Sequence, residues 1–231
     1  MEPTLAVIDI DIFAGQDEAV REGLLENLAN SETECITPLW VNWLRERADF
    51  RVVCLVHDLM RFDDFLVDVI RAVPGVRGTA AQLAFDGSVR CDALMDLPLQ
   101  NSVWDRRAAA TVTVKSQPGR DREVYQALTH LPPHQQVEVV WVVKLYHSTD
   151  ADLQVLLLGE RTAALTGYVM SWIRTQPGVV DTQLTSVLDW QVIGATEDFI
   201  ALAQRFAERN PARRARRPET AATHTKPTSI G

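Results

Sequence analysis

Asp9 and Asp11 stand two residues apart in an alternating apolar run, Ala6, Ile8, Ile10 and Ile12. Paired carboxylates are simple equipment for general acid–base catalysis. Here they share the polar face of a strand, and solvent-facing alternation accounts for them without catalysis. His130 and His134 have the i, i+4 spacing that suits a metal on one helix face. Pro132-Pro133 lies between them and breaks any helix, so the spacing loses its meaning. His57 and His147 are single histidines near strand ends or turns, a type that can serve as an axial haem ligand and more often is plain surface. Cys35, Cys54 and Cys91 are widely spaced and form no CxxC pair, so no zinc site and no disulfide framework is expected. No Ser-His-Asp motif, P-loop or GxGxxG occurs, and neither metal nor cofactor is expected.

Composition narrows the classes. The chain has 231 residues, 46% hydrophobic and 23% charged, with a net charge of −8, which is ordinary globular composition. The apolar runs Val137–Val143 and Leu153–Leu158 are far too short to span a bilayer. Met-Glu-Pro-Thr supplies no basic region before Leu5-Ala6-Val7-Ile8, so no secretory signal is expected and the expected compartment is cytoplasmic. Arg209, Arg213, Arg214, Arg216, Arg217 and Lys226 face Glu219 alone over residues 209–231, leaving an acidic body that repels a phosphate backbone. That tail has little to bury and reads as disordered. Nucleic acid, if bound at all, would meet only the tail.

A repeat organises the remainder. Pro74-Gly75-Val76 recurs as Pro177-Gly178-Val179, an offset of 103. At that offset residues 38–89 align with 141–192 without a gap, and twelve of the 52 positions are identical. Gly15-Gln16-Asp17 pairs with Gly119-Arg120-Asp121 one residue further along. Each copy reads as strand, helix, strand, strand, helix, strand. Phe62, Phe65, Leu66, Val69, Ile70 and Val73 form one apolar helical stripe. The second copy puts Leu165, Tyr168, Val169, Trp172 and Ile173 at matching places.

The fold class expected is therefore α+β, two tandem ferredoxin-like βαββαβ units of the dimeric α/β-barrel type. The expected division is 1–91 for the first repeat, 92–107 for a linker and 108–195 for the second repeat. A C-terminal helix over 196–208 and the basic tail over 209–231 complete it. Each sheet keeps one uncovered face with apolar positions, which should pack on another sheet, either within the chain or in a second chain. Trp40, Trp43, Trp141 and Tyr146 lie on the hairpin strands and are large enough to fill the space between.

Each half resembles the effector-binding domain of the leucine-responsive regulatory protein/AsnC family. The resemblance rests on the hairpin aspartate before an apolar strand (Asp49 before Phe50-Arg51-Val52, Asp152 before Leu153-Gln154-Val155), the amphipathic helix, and the closure from Pro74 to Thr79 and from Pro177 to Thr182. It implies a non-catalytic regulatory module that senses an amino acid or related metabolite, without a helix-turn-helix of its own. Asp49 and Asp152 would then hold a ligand ammonium, and Thr79 and Thr182 would donate to its carboxylate. It also implies a homo-oligomer, or pairing with related regulators. Turn chemistry explains the aspartates, and β-branched strand preference explains the threonines, without any ligand. Two alternatives share the topology: a dimeric α/β-barrel enzyme, either a monooxygenase or a chlorite-dismutase-like haem protein, and a protein-interaction scaffold.

Overall fold

A computed structural model describes residues 3–31, 35–45, 48–90, 107–132, 134–146 and 151–209. The first half comprises β1 (Thr4–Ile12), α1 (Asp17–Asn30), β2 (Ile36–Leu44), β3 (Phe50–Val56), α2 (Phe62–Phe65) and β4 (Val76–Val89). The second comprises β5 (Ala108–Ser116), α3 (Asp121–Thr129), β6 (Val137–Tyr146), β7 (Leu153–Gly159), α4 (Thr162–Tyr168) and β8 (Val179–Val192). A last helix, α5, covers Thr196–Arg209. Most of the expected basic tail and most of the expected linker lie outside the described residues; Arg209 ends α5.

All eight strands close into one barrel in the order β1-β3-β2-β8-β5-β7-β6-β4. The uncovered sheet faces thus meet within one chain. The seams between halves are β2 with β8 and β4 with β6, both antiparallel. Closure leaves no unpaired sheet edge among these strands.

Strand alternation splits the core into three layers. Ala6, Ile8, Ile10, Val52 and Cys54 pack outward under the first-half helices, and Ala110, Val112, Val114, Val155 and Leu157 do the same in the second half. Leu5, Val7, Val53, Leu156 and Leu158 point into the lumen. Trp40 and Trp141 fill the lumen, stacked with centroids 5.0 Å apart, and Trp190 and Phe199 stack on Trp40 at 5.0 and 5.6 Å. Trp43 packs edge-on to Phe50 outside the barrel, and Tyr146 is exposed. Phe199, Leu202 and Phe206 carry α5 into the lumen core as a plug at one end.

Two features depart from the sequence reading. The amphipathic stripe is not one α-helix: α2 and α4 each continue as a π-helical turn, Leu66–Ile70 and Val169–Ile173, closed by Arg71 N to Leu66 O at 2.9 Å and Arg174 N to Val169 O at 2.8 Å. The gapless alignment also fails before the hairpin turn. Trp40 pairs with Val53 as Trp141 pairs with Leu156, so β2 and β6 correspond two residues out of step with the strands that follow. Leu44 N donates to Asp49 O and Leu145 N to Asp152 O, so the second turn is the longer by two residues.

The Pro-Gly-Val closures need glycine. Gly75 has φ 100° and Gly178 φ 92°, a region L-residues rarely adopt. A Cβ on Gly75 would also lie 2.7 Å from Val20 Cγ2, which fixes how tightly α1 sits against the closure.

Candidate functional site

Asp9 does not face solvent as its alternation suggested. Both sheet faces are covered, by helices outside and by the opposite wall inside, so the polar face of β1 points into the lumen. Asp9 Oδ1 accepts from Arg51 Nε at 2.6 Å, and Arg51 Nη1 donates to Thr111 Oγ1 at 2.6 Å. Arg51 is 1% exposed in its side chain and Asp9 12%. Thr111 stands on β5, so the guanidinium reaches from one half of the barrel to the other.

The four residues singled out from the sequence fall into two places. Asp49 and Asp152 close the rim of the barrel. Asp49 Oδ2 accepts from Ile12 N at 2.8 Å, beside the β1 irregularity. Asp152 Oδ2 accepts from Ser116 N and Ser116 Oγ, each at 2.7 Å, and Lys115 Nζ lies 3.3 Å from Oδ1. Burial opposes ionisation of Asp152, but the two Ser116 bonds and Lys115 outweigh it and hold the carboxyl below its usual range. Thr79 and Thr182 pair with Ile10 and Val114, on the helix-covered face. Thr79 Oγ1 accepts from Arg71 Nε at 2.8 Å. The aspartates and the threonines are therefore not brought together around one space.

The concave site that combines apolar walls with polar groups is in the second half. It is a cleft of about 330 Å³ between the end of α3, the start of β6, the end of β4 and α4. The β6 irregularity between Val139 and Trp141 builds it: lumen-facing Trp141 and helix-facing Val142 border the same space. Bulges commonly re-aim side chains beside active sites. Leu128 and Val137 complete the apolar wall, and Ser88, Arg90, Thr129, His134 and Tyr168 supply polarity. Tyr168 and His134 meet edge to face at 5.4 Å. Burial pushes the Tyr168 hydroxyl up to about 12, so it stays protonated as a donor at neutral pH. His134 Nδ1 accepts from Gln136 N at 3.2 Å, which places the proton of the neutral ring on Nε2. In the sequence, Pro132-Pro133 breaks the helical spacing that would single out His134, and Tyr168 falls within an apolar stripe. The available signal was a tyrosine at the place the first half gives to Phe65.

A groove of about 440 Å³ on the first half, beside Cys35, Arg61, Asp64 and Asp68, is more open. Arg61 pairs there with Asp64 at 3.3 Å along one helix face, and the groove carries no comparable convergence of donors among the described residues. Burial pushes the Cys54 thiol far up, so it is an inert core residue.

The described histidines do not fit a haem. His57 Nε2 is engaged by Thr37 Oγ1 at 3.1 Å, and His130 Nδ1 lies 2.7 Å from Gln126 O. His134 borders the cleft, but about 330 Å³ is at the small end of ligand sites and well short of a porphyrin. His147 lies outside the described residues. Among the described residues no group of three His, Cys, Asp or Glu side chains is placed to hold a metal ion. No described helix is long and apolar enough to cross a membrane.

No protein-family model matches the chain, and no curated protein matches it in sequence. Solved structures do match. A protein provisionally assigned as a monooxygenase from Fusobacterium nucleatum subsp. nucleatum ATCC 25586 has TM-score 0.54 and 12% identity, over 84% of this chain and 96% of that one. An anthrone oxidase-like protein has TM-score 0.53 and 10% identity, over 84% and 94%. Chlorite dismutase from Candidatus Nitrospira defluvii, in complex with imidazole, has TM-score 0.50 and 14% identity, over 89% and 95%. These likenesses overturn the resemblance to leucine-responsive regulatory protein/AsnC effector domains, and with it the non-catalytic amino-acid-sensing role. The barrel supplies a physical reason: stacked tryptophans fill the space between the two sheets. The chain is α+β, built of two ferredoxin-like units in the dimeric α/β-barrel arrangement.

Proposed function

We propose that the protein is an oxygenase that oxidises a compact aromatic substrate in the second-half cleft without a resident cofactor. One observation carries this reading. At two equivalent places the first half is apolar, with Phe65 and Ile193 in its core, and the second half presents Tyr168 and Arg90 to the cleft. A fold shared with monooxygenase-like proteins and an anthrone oxidase-like protein supports the reaction class.

The substrate of choice is an anthrone-type phenolic ketone with an activated methylene. Overall, the methylene group and one dioxygen become a carbonyl group and one water. Both methylene C–H bonds break and a C=O bond forms. One oxygen atom enters the new carbonyl, and the other leaves as water with the two hydrogens. The methylene carbon supplies all four electrons that reduce dioxygen, so no external reductant enters the balance. Loss of a methylene proton to solvent gives an enolate, which is the species that reacts with dioxygen. The side chains then have defined tasks. Tyr168 Oη–H and His134 Nε2–H donate to the enolate oxygen and lower the cost of forming it. Arg90, ion-paired with Glu138 at 3.6 Å, borders the mouth. Trp141, Leu128 and Val137 hold the ring system away from water.

The test is oxygen uptake with anthrone, followed on an electrode beside product formation. The reading expects uptake well above autoxidation, with one dioxygen consumed per ketone formed. Uptake no faster than in buffer across anthrone-type substrates, with a folded sample, would overturn it.

A further inference from the structure

The lumen holds a second polar site that the cleft chemistry does not use. Asp9 pairs with Arg51 across β1 and β3, Asn42 with Arg51 across β2 and β3, and Thr113 with Gln154 across β5 and β7. All five belong to the inward-facing set of their strands, next to the stacked tryptophans, with Asn42 paired to Trp190 across β2 and β8. β3 and β7 lie on opposite sides of the barrel, so Gln154 faces the wall that carries Arg51.

Gln154 is 0% exposed, and both its Oε1 and its Nε2 lack a partner among the described residues. Asn42 is 1% exposed, and its Oδ1 also lacks one there. An amide buried without a hydrogen bond is costly, and two such side chains on the lumen face mark donors and acceptors that a guest would satisfy. We propose that this layer binds a small neutral molecule that both donates and accepts hydrogen bonds. Its chemistry follows from the walls. The guest must donate to Gln154 Oε1 and Asn42 Oδ1 and accept from Gln154 Nε2. It is neutral because Arg51 is already balanced by Asp9 at 2.6 Å, and a further ion would lie buried with no counter-charge. It is small because the Arg51 side chain spans the lumen to Thr111 and the tryptophans close one side. Entry is from the opposite end, where Asp11, Lys115 and Asp152 keep contact with solvent. Water satisfies these demands with two to four partners, and a small primary amide carries the same donor and acceptor pair.

The experiment has two arms on the full chain. High-resolution diffraction of the protein, alone and soaked in acetamide, should show discrete density within hydrogen-bond distance of Gln154 Oε1, Gln154 Nε2 and Asn42 Oδ1. Water there in both crystals assigns the site to solvent. Acetamide in its place, with a rise in Tm that Gln154→Leu abolishes, assigns it to a small organic guest. Gln154→Leu should keep the near-ultraviolet circular dichroism of the tryptophan stack, which separates loss of the guest from loss of the fold. A dry layer, with the Gln154 amide turned onto protein groups in both crystals, would overturn the proposal. So would guest density that persists unchanged in Gln154→Leu.

Discussion

The two halves of the barrel carry the same topology with opposite emphasis. Where the first half buries Phe65 under its sheet, the second buries Tyr168 and raises its pKa to about 12. Ile193 N bonds Leu39 O at 2.9 Å and its side chain joins the first-half core; Arg90 N bonds Val140 O at 2.8 Å in the matching place and its side chain borders the cleft. Within the lumen the emphasis reverses. The first half supplies the ion pair Asp9–Arg51, and the second offers the uncharged Thr113 and Gln154 at the equivalent places. A repeated fold thus lets one copy hold the barrel together while the other carries the cleft.

The comparison can be broken most severely at the ion pair. Asp9→Ala leaves Arg51 charged and buried, and should cost about 3 to 5 kcal/mol in urea unfolding. Thr113→Ala, at the equivalent place, should cost no more than about 1.5 kcal/mol. Equal losses at the two positions would show that the halves share the load.

Next in size is the cleft. Tyr168→Phe makes the second half resemble the first, and should lower turnover about 10²-fold with Tm nearly unchanged, as expected for a lost oxyanion donor. The reciprocal Phe65→Tyr should create no activity.

Packing asymmetry comes third. Trp190 on β8 lies where β4 has Gly87, and a Cβ on Gly87 would lie 2.8 Å from Val143 Cγ1 and 3.0 Å from Phe206. Gly87→Ala should therefore destabilise by about 1 to 3 kcal/mol and loosen α5, read as faster hydrogen exchange there.

The smallest effect concerns the rim. Asp152 has a folded pKa below its unfolded value, so its contribution is complete above the unfolded pKa, near 4. It is lost as pH falls through the lower folded value. Asp152→Asn should remove about 1 kcal/mol at neutral pH and flatten the acid limb of the stability curve below about pH 4. Asp49→Asn should cost less stability at neutral pH than Asp152→Asn, because the Asp49 carboxylate accepts from Ile12 N where Asp152 meets Ser116 N, Ser116 Oγ and Lys115 Nζ.

The repeat is legible because twelve identities record it, and each of them lies in the hairpin turn or after it. Before the turn no identity marks the register, so the two-residue difference between β2 and β6 shows only in the strand pairing, which puts Trp40 and Trp141 at equivalent places. Alternation marks the polar face of β1 and cannot say whether a barrel closes over it, so a lumen face looks like a solvent face. The cleft is least legible. It depends on a β-bulge, on a tyrosine inside an apolar stripe, and on a histidine whose helical spacing two prolines break; none of these carries a local signature. Asp49 and Asp152 stand out in the sequence by recurring, and the hydrogen bonds they make in the structure join the hairpin to the end of β1 and β5.

The most direct measurement is a crystal structure with the aromatic ketone product of the oxygen-uptake assay. The account predicts the ring system in the second-half cleft, with an oxygen within hydrogen-bond distance of Tyr168 and His134 and the first half empty of it. Product seated beside Phe65, or in the groove near Cys35 and Asp68, would contradict the division of labour between the halves.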